Sequence, residues 1–376
     1  MGGGVKNSAL FIKYAVNDNN IAWSFAVSPQ VYDVISRWGV SDHRVYVYDV
    51  SPARSIIARK KLKKLPIKLG VDVVFTMAGP AYVEFEVPHL MGISNGYLTH
   101  VDWRGFIVGR SFFRIFKDFL TVLYQTFYAR KADKLLFQTE EARNGFCKRS
   151  FFQVNKTEIV ANAIGHEFIE YFSNRDISVA DFHNEKEIKV FCPASSYPHK
   201  ALHLIPEIIK ELKSLSSNLY SFRFILSLSE DEGYWKEILK KSKKLGVSKF
   251  IDTVGIYNYA DAISLYEKSD IIFVPSILET FTISYIEAFA SRKPLIVSNR
   301  AFAKEICGNA AIYIDPFNAR SSAELFHKLL TSKEEQLNLC SNGLKILNNY
   351  GSQEARYKKI VSIVINLLDK SLATPS

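Results

Sequence analysis

Apolar strands alternating with amphipathic helices predict an α/β fold made of two doubly wound, Rossmann-like domains facing a cleft. Three observations carry this. A chain of 376 residues suits two domains of ordinary size. The strand-like stretches read as continuous apolar runs rather than strict alternation, which marks parallel strands covered on both faces. Each run is followed by a segment of helical length and period. At 48% hydrophobic and 23% charged, the composition suits large buried cores.

In the first half, "RVYVYDV", "VDVVFTMAG", "HLMGISNGY", "KLLFQTEEA" and "KTEIVANAI" read as strands or strand–turn units. Residues 1–173 form the expected first domain, and the polar, aperiodic Asn174–Glu187 the linker. The second domain, 187–350, reads more regularly. "EIKVFCPAS" is a strand, "ALHLIPEIIKELKSL" a helix, "SFRFILSLS" a strand and "GYWKEILKKSKKLG" a helix. "FIDTVGI", "DIIFVPS", "KPLIVSN" and "AAIYIDP" are further strands, with the helical "YADAISLYEKS" before the second of them. Residues 351–376 hold an amphipathic helix, "SQEARYKKIVSIVINLL", expected to pack back on the first domain.

Four widely spaced cysteines, Cys147, Cys192, Cys307 and Cys340, form no CxxC pair and point to a reducing, cytoplasmic setting. The chain shows no signal-peptide pattern and no apolar run long enough to span a bilayer. The net charge of +10 is concentrated in residues 1–170, with 22 Lys+Arg against 15 Asp+Glu; the remainder has 26 against 23.

Ligands of doubly wound sheets bind beyond the carboxyl ends of the strands. That places "PSILETFTISYIEAFASRKPLI" (Pro275–Ile296), which follows the strand "DIIFVPS", at the centre of interest. A helix is expected to start near Thr280–Thr282, with Thr280 as a candidate N-cap. Its first N–H groups suit a phosphate. Glu279 beside a phosphate would be repelled, so neutral hydroxyls are its natural partners. Glu287, deeper in the helix, can reach a second set of hydroxyls. Hydroxyls, phosphate, hydroxyls is the order of a sugar nucleotide. Taken alone, two glutamates eight residues apart also describe two solvated side chains on an ordinary helix.

The whole stretch "PSILETFTISYIEAFASRKPLIVS" resembles the signature of retaining glycosyltransferases of family four, which have GT-B architecture. The resemblance implies that Glu279 binds hydroxyls of the transferred sugar and that Glu287 holds the ribose. The backbone at Phe281, Thr282 and Ile283 would hold the diphosphate. The family's aromatic is often flanked by glycines, where this chain has Thr280 and Thr282. In "CPASSYPHKALHLIP", the resemblance makes Lys200 the cation that neutralises the diphosphate. An arginine about six residues earlier is usual; Ala194 stands there, and Ser195 is left to donate a weaker hydrogen bond. His100 matches the family's sugar-orienting histidine loosely, and a surface or capped histidine is the competing reading. Asp102 is its partner or an acceptor contact. Gly79 reads as a close-approach turn, Gly255 as the loop beside the base, and Asn162 as the turn closing the first domain. "GGGVKN" at Gly2–Asn7 resembles a glycine-rich loop with no strand before it, or else a flexible terminus. His199 and His203 are four apart but lack acidic or thiol companions, so no metal site is expected there.

One basic, aromatic stretch needs a separate account. On a helix, Phe112, Phe116, Phe119, Leu123 and Phe127 share a face, with Arg110, Arg114 and Lys117 opposite. Such a helix lies in an anionic membrane interface or forms an ordinary core contact. Arg54–Leu69 adds seven basic residues and no acidic one, favouring the membrane. No recognition motif for nucleic acid accompanies the charge.

The sequence therefore leads to a retaining, metal-independent glycosyltransferase with a nucleoside-diphosphate-sugar donor, UDP or GDP. The first domain would face the membrane and bind a glycan or lipid-linked acceptor for cell-surface polysaccharide synthesis; the second would bind the donor. The setting would be cytoplasmic, peripheral on the inner face of the membrane. A sugar-nucleotide epimerase or phosphorylase, or an inactive glycan-binding scaffold, are the alternatives.

Overall fold

A computed structural model describes residues 3–40, 44–100, 107, 111–177, 187–216 and 220–373. The chain divides into two compact units. Gly2–Val101, Arg110–Ala163 and Gly351–Ser376 make up one, and Ile164–Tyr350 the body of the other.

The first unit opens with α1 (Gly3–Ala15), β1 (Phe25–Val27), α2 (Pro29–Ser36), β2 (Val45–Val47) and α3 (Ile56–Leu69). It continues through β3 (Val74–Thr76), β4 (His89–Gly92), α4 (Gly96–Thr99), α5 (Phe112–Ala129), β5 (Lys134–Phe137), α6 (Glu140–Ser150) and β6 (Thr157–Ile159). β1 pairs in parallel with β2, and β3 to β6 form a second parallel sheet in chain order. The glycine-rich start is neither loop nor loose tail from Gly3 onward: it is the first turn of α1. Ala9, Phe11, Ile12 and Ala15 bury into the core of this unit, and that burial outweighs the low helix propensity of the glycines.

Two helices leave apolar surface uncovered. On α5, Phe112 is 85% exposed, Phe116 55% and Phe119 52%, and Leu123 and Phe127 are exposed as well. Only Val122 and Ala129 of that helix are buried. Ile56, Ile57 and Ile67 of α3 are also exposed. The guanidinium of Arg59 ties α3 to α5, lying 5.5–5.6 Å from the rings of Tyr82, Tyr124 and Tyr128. Among the described residues, the phenylalanine stripe is thus not a core contact.

The second unit holds α7 (His166–Ser173), β7 (Ile188–Cys192), α8 (Ile205–Ser216), β8 (Phe222–Leu226), α9 (Gly233–Lys244), β9 (Ile251–Thr253) and α10 (Tyr259–Glu267). β10 (Ile271–Val274), α11 (Ile283–Ala290), β11 (Leu295–Ser298), α12 (Ala301–Cys307), β12 (Ile312–Ile314), α13 (Ala319–Leu330) and α14 (Lys333–Leu347) follow. Every strand pair is parallel, in the order β9-β8-β7-β10-β11-β12. This is the doubly wound order, and its direction reverses between β7 and β10. Phe224, Phe273 and Phe326 interlock at 4.8–6.1 Å in the core on one face.

The boundary between units falls earlier than residue 173. Phe168 of α7 meets Tyr266 edge-on at 5.3 Å, Tyr171 donates to Glu267 at 2.7 Å, and Arg292 donates to the Ser173 carbonyl at 2.6 Å. These contacts fix α7 in the second unit. Of the expected linker, 178–186 lie outside the described residues. The closing helix α15 (Gln353–Ala373) is part of the first unit. It buries Tyr357, Ile360, Ile363 and Val364 against a core that includes Phe11, Leu90 and Leu136.

His89 in β4 is buried, with Nε2 2.8 Å from the Thr76 hydroxyl, and burial pulls its pKa down to about 4. The unfolded chain takes up a proton near pH 6.5, whereas the folded chain resists until about pH 4, so stability is lost as pH falls through that window. Urea titrations should show a loss of roughly 3 kcal/mol across it that is absent in His89→Gln. Parallel pH profiles for the two proteins would contradict this assignment.

Candidate functional site

The reversal of strand order brings two loops together at the carboxyl ends of β7 and β10. The loop after β7 is anchored to β8: the Ala194 N–H donates to the Ser227 hydroxyl at 2.9 Å, and that hydroxyl donates back to the Ala194 carbonyl at 3.0 Å. The loop after β10 turns inward, with Ser276, Ile277 and Leu278 all buried. The Ile277 N–H donates to the His199 carbonyl at 2.9 Å, joining the two loops. The next residue of the first loop, Lys200, then meets Glu279 in an ion pair between Nζ and Oε1. Their side chains are 17% and 11% exposed. Glu279 therefore does not point to open solvent.

Helix α11 begins just beyond. Thr282, not Thr280, occupies the N-cap; its backbone is extended, at φ −117° and ψ 113°, and its side chain caps no N–H. Among the described residues, no acceptor takes the N–H groups of Phe281, Thr282 or Ile283. These donors sit at the positive end of the helix dipole, a geometry suited to an anion. The Phe281 ring is buried and meets Tyr350 at 5.8 Å, which holds the turn against the body of the unit.

Glu287, one further turn along α11, is 4% exposed. It accepts a hydrogen bond from the Tyr266 hydroxyl at 2.9 Å. Burial, and then the charge of Glu287, push the pKa of Tyr266 well up, and the same two causes act on Tyr257. Tyr266 is thus held as a donor to a carboxylate. Gly255, at φ +72°, shapes the loop after β9 that leads to Tyr257. A side chain is strained at that angle. Sequence reasoning missed both tyrosines. Their signal was the pair of aromatics in "GIYNYADAISLYEKS", which reads equally as ordinary core.

The remaining expected residues are placed as follows. Ser195 is exposed in the loop after β7. His199 stacks on Tyr197 at 5.4 Å, while Nδ1 of His203 lies 3.0 Å from the Tyr234 hydroxyl. Each histidine has its own partner, and among the described residues no cluster of three metal-ligating side chains occurs. Gly79 and His100 belong to the other unit. Gly79 is required by the protein itself: its N–H donates to the Gly92 carbonyl at 2.7 Å, and a Cβ there would fall 2.5 Å from the Met91 side chain. His100 is buried at the end of α4 with Nδ1 2.7 Å from the Thr99 hydroxyl, so it is no surface histidine. Asp102 lies outside the described residues. Asn162 accepts from Asn7 and Gln138, each at 3.2 Å.

With this geometry in place, the second unit can be compared with known proteins. Residues 173–346 match the family model described as glycosyl transferases group 1. That segment, a little under half of the chain, is therefore similar to the glycosyl transferases group 1. Solved structures extend the likeness over the whole fold. A glycosyltransferase from Rickettsia africae is 15% identical, with a TM-score of 0.68 over 97% of this chain and 94% of that one. HepE of Anabaena, solved with UDP and glucose, is 13% identical, with a TM-score of 0.70 over 97% and 96%. WaaG, a glycosyltransferase involved in lipopolysaccharide biosynthesis, is 14% identical, with a TM-score of 0.68 over 97% and 96%. At these identities the likeness establishes the fold, which is GT-B. No curated protein matches the sequence.

Within the second unit, the Tyr266–Glu287 bond is a buried hydrogen bond to a carboxylate. Tyr266→Phe removes the donor without emptying the space, and should cost about 1–3 kcal/mol in urea denaturation. Unchanged stability would mean that Glu287 does not depend on this tyrosine.

Proposed function

We propose that this chain is a retaining glycosyltransferase that uses a nucleoside-diphosphate-sugar donor. One observation carries the reading: at the switch point of the doubly wound sheet, a lysine–glutamate pair adjoins three N–H groups that have no acceptor among the described residues. In this reading the N–H groups of Phe281, Thr282 and Ile283 and the Lys200 ammonium bind the diphosphate. Glu279 accepts hydrogen bonds from the sugar, and Glu287, oriented by Tyr266, accepts them from the ribose. The bond from the anomeric carbon to the diphosphate breaks as the acceptor hydroxyl oxygen bonds that carbon from the same face. The hydroxyl proton leaves with the diphosphate. The charge growing on the leaving group is met by dipoles and a cation already in place. Their combined positive charge is our reason for proposing transfer without a divalent metal. His100 is proposed to orient the donor sugar, with Asp102 as its partner or an acceptor contact, and Gly255 to lie beside the base. The solved complex of HepE with UDP and glucose favours UDP over GDP as the first donor base to try.

We further propose a peripheral position on the cytoplasmic face of an anionic membrane, where the acceptor is a glycan or a lipid-linked sugar of cell-surface polysaccharide synthesis. Among the described residues, no helix is long and apolar enough to cross a membrane. The support is the exposed aromatic face of α5 beside the basic helix α3, which offers rings to the acyl boundary and cations to the headgroups.

Nucleotide binding can be read as thermal stabilisation. At a hundredfold excess over Kd, UDP or GDP should stabilise the protein by about 2.7 kcal/mol, a rise of several degrees in Tm. Lys200→Ala should weaken binding about tenfold or more, as expected for loss of a charge-assisted bond. No shift with any nucleoside diphosphate would leave a scaffold of the same fold. For the membrane, the protein should pellet with anionic liposomes at low salt and not with neutral ones. Replacing Phe112, Phe113 and Phe116 by Ser should abolish pelleting; equal pelleting by the triple variant would remove α5 from the account.

A further inference from the structure

Helix α15 carries a charge that has no counter-charge within the described residues. Arg356 is 8% exposed, and its Nε is buried without a hydrogen-bond partner. Among the described residues, its Nη2 reaches only the Met77 sulfur, at 3.8 Å. Burial lowers its pKa to about 10, which leaves it charged at neutral pH. A buried cation is costly unless paired, and breaking a buried pair by removing the anion is strongly destabilising. The acid close to it in sequence on α15, Glu354, is exposed and pairs with Lys358 at 2.6 Å. Asp18 is engaged too, accepting from the Tyr357 hydroxyl at 2.7 Å and from the Asn20 N–H at 2.9 Å.

The position of this charge is informative. Met77 directly follows β3, and the residue opposite is Gly92, the last of β4; Arg356 therefore stands at the carboxyl edge of the four-stranded parallel sheet. Gly92 has no room for a side chain, since a Cβ would fall 2.3 Å from the Met77 carbonyl. One turn before Arg356, the Gln353 amide is held by the Ala163 carbonyl, just beyond β6. α15 is thus fixed across the sheet with a guanidinium at the edge where parallel sheets receive ligands. A guanidinium presents paired donors that match phosphate and carboxylate oxygens.

We propose that Arg356 binds an oxyanion of the acceptor, a phosphate or a carboxylate, at the carboxyl edge of the four-stranded sheet. Calling that ligand the acceptor rests on the transferase reading above; the anion site itself does not. The acceptor class would then be anionic, a phosphorylated or uronic-acid glycan or a lipid-linked phosphate, rather than a neutral sugar.

The test is thermal stabilisation by inorganic phosphate and, separately, by glucuronate, with saturating UDP present to occupy the donor site and chloride at matched ionic strength as control. The wild-type Tm should rise with at least one of the two anions, and which one distinguishes a phosphorylated from a uronic-acid acceptor. Arg356→Met should abolish that response while leaving the unliganded Tm equal or higher, because it removes an unpaired buried charge and keeps the volume. Arg356→Lys, which keeps the charge and loses the fork, should weaken the response about tenfold. The proposal is overturned if neither anion acts beyond chloride, if Arg356→Met responds like wild type, or if Arg356→Met lowers the unliganded Tm as loss of a purely structural contact would. An absent UDP shift with an intact phosphate response would sink the transferase reading and leave the anion site standing.

Discussion

The reversal of strand order between β7 and β10 is the constraint on which the candidate site depends. Two neighbouring parallel strands whose crossovers run to opposite sides leave their carboxyl-end loops side by side. Here those loops supply Lys200 and Glu279, 79 positions apart in sequence, and the Ile277–His199 hydrogen bond joins the backbones that carry them. Neither residue has a reason to meet the other without that topology.

The surroundings explain how the arrangement stays in place. Every residue of α11 except Ile283 is buried, so the helix is held on all sides although it has only eight residues. α14 packs against it at Gly343, where an added Cβ would fall 2.7 Å from the Phe289 ring. The price of so much burial is that Glu287 sits within the body of the unit, where a carboxylate needs donors, and Tyr266 provides one. The same logic applied to Arg356 exposes a difference. Glu287 has a protein partner, whereas among the described residues the guanidinium on α15 reaches only a sulfur.

Much of the second unit was legible because parallel strands covered on both faces are apolar from end to end. "DIIFVPS" and "KPLIVSN" became β10 and β11, each wholly buried. The first unit was harder to read. α1 hid behind glycines whose propensity argues against a helix, and only tertiary burial of Phe11 and Ile12 settles the matter. α7 read as part of the first domain because its assignment depends on contacts with Tyr266 and Glu267, nearly a hundred residues away. Helical periodicity marked α5 as two-faced, yet a period says nothing about what covers a face. At the candidate site, the signature singled out Glu279 and Glu287, and the stretch after β7 singled out Lys200, which the fold pairs with Glu279. The tyrosine supporting Glu287 was invisible, since a buried aromatic in a helix has the same pattern whether or not its hydroxyl has a task.

The most direct measurement is a crystal structure of the protein with UDP or a UDP-sugar. Diphosphate oxygens should lie within hydrogen-bond distance of the N–H groups of Phe281, Thr282 and Ile283, with Lys200 turned from Glu279 toward them. A diphosphate bound away from the start of α11, or a nucleotide bound with the Lys200–Glu279 pair intact, would contradict the account.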